Sequence, residues 1–141
     1  MIGILIVTHG NFGQAILKST ELIVGPIPQV DVLAIDNTQT MEEIVEQLEK
    51  YVDRLDQGKG VLILTDMFGG TPTTLSLSLL GKQKKVEVIT GLNLPMLIKT
   101  ATADRTRELA EIAKEVKQAG IQSIKVAGEI LEKKLDVGTH R

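Results

Sequence analysis

The feature that most constrains this chain is its opening run, Met1-Ile-Gly-Ile-Leu-Ile-Val-Thr-His-Gly-Asn11. Ile2 to Val7 is apolar almost without a break and too short for a helix of ordinary length. Such a run reads as a strand buried on both faces, as in a parallel sheet. It stops at Thr8-His9-Gly10, and helix-compatible sequence begins near Gly13. In open α/β sheets, ligands gather just beyond the carboxyl ends of the strands. His9 therefore stands where a site is expected, and it is the one histidine in the body of the chain. Taken alone, it could equally serve its own turn through a hydrogen bond.

Composition narrows the class. The 141 residues suit one domain with a proper core, and 43% apolar content with four prolines argues against disorder. Without cysteine there is no disulfide framework, thiolate chemistry or cysteine-based zinc site. The net charge of -2 comes from interspersed signs, so neither a nucleic-acid stripe nor a basic membrane helix is indicated. No apolar run approaches a membrane span, and the N-terminal strand lacks the charged flank of a signal peptide. A soluble cytoplasmic protein is expected. With one Tyr, two Phe and no Trp, the core must come from Ile, Leu, Val and Ala.

The remaining chain alternates between helix and strand. Residues 13–24 predict a helix with Ile16, Thr20 and Ile23 on one face, ended by Gly25-Pro26. Residues 30–35 predict a second strand. Thr40-Met-Glu-Glu43 is a capping box opening a helix with Met41, Ile44, Val45, Leu48, Val52 and Leu55 at helical spacing. Residues 60–65 predict a third strand, followed directly by Asp66-Met-Phe-Gly-Gly-Thr-Pro72. Thr71 as N-cap and Pro72 at the first helical position begin a helix that Gly81 ends. Residues 85–90 predict a fourth strand, and Gly91-Leu-Asn-Leu-Pro-Met96 leads into a short helix. A helix over 105–119 turns Leu109, Ile112, Ala113 and Val116 inward and stops at Gly120. Residues 121–126 then alternate as a one-sided edge strand. From Gly128 the chain reads as charged and frayed, with His140 as a surface residue of that tail.

This succession predicts an α/β fold: an open, flavodoxin-like sheet of four parallel strands, order 2-1-3-4, with helices on both faces. That order puts strands 1 and 3 side by side, with His9 and Asp66 facing each other across the crevice. A carboxylate on the Nδ1 proton fixes the tautomer, leaves the lone pair on Nε2 and stabilises the imidazolium character that develops on attack. Gly69-Gly70 allows close backbone approach, and the Thr71-Pro72 helix start favours an anion. The P-loop, the G-x-G-x-x-G pattern and the G-x-S-x-G elbow are missing. A lone core histidine makes a metal site poorly supported. A non-catalytic flavodoxin-like module remains an alternative, although a flavin would want aromatic flanks that this chain scarcely supplies.

Thr8-His9-Gly10, Asp66 to Pro72 and Gly91 to Met96, at three successive strand ends, resemble the enzyme IIA domain of mannose-family phosphotransferase systems. The resemblance covers about residues 1–128, leaving 129–141 as a charged tail. It implies a phosphocarrier, usually dimeric, that takes a phosphoryl group from HPr onto a histidine and passes it to a IIB protein. By resemblance His9 and Asp66 are the catalytic pair, and Gly10, Gly69, Gly70, Thr71 and Pro72 surround the phosphoryl group. The resemblance also implies that Phe12, Met67 and Phe68 lie on the docking rim. The family's strand corresponding to 121–126 can pair, antiparallel, with the partner's sheet. No cofactor or metal is implied, and with the chain ending at Arg141 the IIB is expected to be a separate protein. A related alternative is the phosphotransfer subunit serving dihydroxyacetone kinase, against which the Gly-Gly-Thr-Pro and Asn-Leu-Pro-Met motifs weigh.

Overall fold

The computed structural model describes residues 1–67, 70–82 and 85–139. Four strands, β1 (Gly3–His9), β2 (Val30–Ile35), β3 (Val61–Thr65) and β4 (Val86–Ile89), form one parallel sheet in the order β2-β1-β3-β4. The helices are α1 (Phe12–Val24), α2 (Met41–Leu55), α3 (Thr71–Leu77), α4 (Leu94–Thr102), α5 (Leu109–Gln122) and α6 (Ala127–Thr139), with a 3₁₀ turn at Ser78–Gly81 after α3.

The apolar run now has a physical reason. Strand side chains alternate between faces, and β1 is covered on both. Leu5 and Val7 pack with Ile44, Leu48 and Val52 of α2 and with Leu75 of α3. Ile4 and Ile6 pack with Met96 and Leu97 of α4 and with Ile112 and Val116 of α5. Ile4, Leu5, Ile6 and Val7 are all fully buried, and each such side chain contributes ~1.5–3 kcal/mol of burial.

Helix ends follow local chemistry. Thr40 caps α2 by accepting from the Glu43 amide at 3.2 Å. Asn93 caps α4 in the same way, accepting from the Met96 amide at 3.1 Å. Far from the strand ends that carry His9, Arg105 is buried and holds the entries of two strands together. Its guanidinium donates to the Ile2 carbonyl at 3.0 and 2.7 Å, to Pro28 at 2.7 Å and to Gln29 at 3.0 Å. Burial lowers its pKa from the ordinary arginine value, and the group stays charged.

Several expectations are corrected. Residues 121–126 form no strand: Ile121 and Gln122 complete α5, and Ala127 opens α6. Ile124 and Val126 are two apart, as on one face of a strand, but Ile121 and Ile124 are three apart, a helical spacing that a strand would put on opposite faces. Within the described chain no neighbour offers this segment a ladder. Gly120 does not stop α5. It sits inside the helix, where a Cβ would meet the Met96 side chain at 2.5 Å, so close packing calls for glycine there. The tail beyond Gly128 is helical rather than frayed. Thr71 is the first residue of α3, with Gly70 at the cap. The last long helix begins at Leu109, because Arg105 serves the clamp and Asp104 turns the chain through the Thr106 amide and hydroxyl. Ile23 faces solvent, and Val24 packs inward instead.

Candidate functional site

His9 closes β1. On one side its register partner is Ile35 of β2; on the other, pairing with β3 ends at Val7 opposite Thr65. The neighbours of β1 thus part at His9, and a crevice opens there. The chain turns next at Gly10, whose φ of +52° suits glycine and whose amide donates to the Ile35 carbonyl at 3.0 Å. Thr8 is buried and its hydroxyl accepts from the Gly13 amide at 2.8 Å, which ties the start of α1 to the end of β1.

Asp66 follows β3 directly and reaches across to His9. Its Oδ2 lies 2.8 Å from His9 Nδ1 and accepts from the His9 amide at 2.9 Å. Its Oδ1 accepts from the Met67 amide at 3.0 Å. An ionised carboxylate can only accept, so the proton of the ring contact belongs on Nδ1 and the neutral ring keeps its lone pair on Nε2. The Asp66 side chain is 16% exposed against 49% for His9. The pair is therefore a sheltered carboxylate behind an open imidazole. Burial pushes the Asp66 carboxyl up, but the hydrogen bonds from the His9 amide and the His9 ring outweigh this and hold it below its ordinary value.

Gly70 explains the glycine beside the ring. A Cβ at this position would stand 2.8 Å from His9 Cε1 and 3.5 Å from Nε2. Any larger residue would displace the imidazole or the loop. Thr71 and Pro72 begin α3, whose first-turn amides have no intrahelical acceptor. Phe12 and Met67 are exposed near the crevice. Phe68 and Gly69, placed in the rim and the loop by sequence, lie outside the described residues, as does His140.

Sequence reasoning passed over the loop after β2. Asp36, Asn37 and Gln39 form one wall of an open hollow of about 260 Å³ whose other wall is His9 and Thr71. Asp36 Oδ1 accepts from the Thr38 amide at 2.8 Å and hydroxyl at 2.6 Å, and these bonds hold its carboxyl below its ordinary value. The available signal was positional: the loop follows the strand paired with β1. Among the described residues no cluster of His, Asp and Glu could hold a metal, and no helix is long and apolar enough to cross a membrane.

An open, oriented imidazole at the switch point of a four-stranded parallel sheet defines a histidine-centred α/β protein, and comparison with known proteins gives the family. Residues 3–117 match the model of the EIIA-man family, described as the fructose IIA component of the phosphotransferase system (PTS). The chain is 31% identical over 128 residues to the PTS mannose-specific EIIAB component of Escherichia coli (strain K12), covering 88% of this chain and 40% of that protein. It therefore spans less than half of that relative's length. The PTS fructose-specific EIIA component of Bacillus subtilis (strain 168) is 26% identical over 133 residues, covering 94% of this chain and 91% of that one. The crystal structure of phosphotransferase system component EIIA from Streptococcus agalactiae matches with a TM-score of 0.83 at 32% identity, covering 92% of this chain and 99% of that one. The chain belongs to the mannose-family enzyme IIA components of the sugar phosphotransferase system.

Proposed function

We propose that this chain is a phosphohistidine carrier that accepts a phosphoryl group from HPr on His9 Nε2 and passes it to a IIB protein. The supporting observation is the 2.8 Å contact between His9 Nδ1 and Asp66, which leaves the outer ring nitrogen free. The Nε2 lone pair attacks phosphorus as the donor's P–N bond breaks, and the displaced donor nitrogen keeps that bonding pair. The ring becomes more cationic as the new P–N bond forms, and Asp66 stabilises it from the far side, away from the phosphoryl oxygens. Gly10, Gly69, Gly70, Thr71 and Pro72 surround the transferred group, and no metal or cofactor takes part. Phe12, Met67 and Phe68 form the rim on which HPr and IIB dock in turn. The protein works in the cytoplasm as a homodimer.

Incubation with enzyme I, HPr and phosphoenolpyruvate should add one acid-labile phosphate by intact mass, and His9→Ala should abolish it. Heteronuclear NMR should place the phosphorus on Nε2. Labelling that survives His9→Ala, or phosphate on Nδ1, would overturn the assignment.

A further inference from the structure

Asp66, Met67 and Gly70 lie outside strand and helix, yet the imidazole depends on the position of Asp66. Beneath it lie two threonine hydroxyls in the core, Thr65 at the end of β3 and Thr73 in the first turn of α3, with relative exposures of 0% and 1%. The Thr73 hydroxyl donates to the Met67 carbonyl. Its single proton is thereby used, so the Thr65 hydroxyl is the donor in the contact between the two threonines. Met67 in turn donates its amide to Asp66 Oδ1, and Asp66 Oδ2 meets His9 Nδ1. A chain of polar contacts thus runs from the core, through the backbone carbonyl and amide of Met67, to the ring. The anchorage extends behind β3 as well, where the Thr65 carbonyl accepts from the Leu92 amide at 2.9 Å.

Packing alone does not call for these hydroxyls. Valine has nearly the shape of threonine and would fill both positions without burying a polar atom. What the hydroxyls add is direction, since a hydrogen bond to the Met67 carbonyl restrains the backbone of the residue whose amide holds Asp66 Oδ1, in a way that methyl contacts do not. We infer that Thr73, with Thr65 behind it, is a positioning residue that holds the Asp66 carboxylate on His9 Nδ1. This inference rests on the phosphohistidine reading for its effect on transfer, but its effect on the ring can be read without any phosphate.

The tautomer of His9 is the direct readout. In alkaline solution, where the ring is neutral, ¹⁵N spectra of the wild type, assigned with His9→Ala, should show the Nδ1–H form in excess. In Thr73→Val the loop loses its anchor, Asp66 leaves the ring part of the time, and the two tautomers should mix. Thr73→Ser keeps the hydroxyl and should restore the wild-type spectrum. Phosphorylation by phospho-HPr should slow roughly five- to tenfold in Thr73→Val, the effect of one lost hydrogen bond, and recover in Thr73→Ser. A Thr73→Val protein with lower melting temperature but wild-type tautomer and rate would overturn the inference. If the wild type takes up no phosphate, the carrier reading fails while the spectra still decide the positioning role. Should Thr73→Val not fold, Thr65→Val is read in the same way, and an unchanged tautomer in that variant would also overturn it.

Discussion

At the scale of single residues, the His9–Asp66 pair has the most to say. Asp66 receives bonds from the His9 ring, the His9 amide and the Met67 amide, so its loss removes both a charge and a set of acceptors. Asp66→Asn should keep the fold but lower the transfer rate about ten- to a hundredfold, since one charge-assisted hydrogen bond contributes ~1.5–3 kcal/mol. Rapid-quench phosphorylation measures this, and a wild-type rate would refute it. The same substitution has a pH signature. The Asp66 carboxyl lies below its ordinary value in the native state, so its contribution to stability is present above the unfolded carboxyl range and is lost as pH falls through the native value. Asp66→Asn should flatten that acid limb of the melting curve. The two positions were legible in the sequence because each directly ends a short apolar run. Asp36, Asn37 and Gln39 were not, because Asp-Asn-Thr-Gln reads as an ordinary turn until the pairing of Ile35 with His9 places it beside the ring.

At the scale of elements, the same contrast holds. The four parallel strands were readable because each is a short apolar run between turn residues, and α2 because Thr40 caps a strongly periodic stretch. Residues 121–126 misled because six residues with apolar positions at 121, 124 and 126 suit two periodicities, and because Gly120, read as a stop, is a glycine that gives room to the Met96 side chain inside α5. The end of α5, the segment that follows it and the helix α6 expose Ile121, Ile124, Val126, Leu131 and Leu135. Apolar residues so close together in sequence are more than a monomer's surface ordinarily leaves wet. Light scattering at micromolar concentration should therefore give the mass of a dimer, and Ile124→Glu should shift it towards the monomer without lowering the melting temperature. A monomeric wild type would count against the homodimer.

At the scale of the whole molecule, β1 contributes to both cores and pairs with β2 on one edge and β3 on the other, while Arg105 fastens its entry to that of β2. This centrality has a consequence for biosynthesis. The Ile2–Val7 run is made first, yet the strand that closes its second edge ends only at Thr65. At ~5–20 residues per second, the emerging Ile2–Val7 segment waits roughly three to twelve seconds for that partner, longer than any other strand of the sheet. Until then it is an uncovered, β-prone stretch of the kind that aggregates. Ribosome-stalled chains in which β3 is still inside the exit tunnel should be cleaved readily within Ile2–Val7. Those in which α5 has also emerged should resist, and equal resistance at both lengths would show that β1 finds cover before its neighbour arrives.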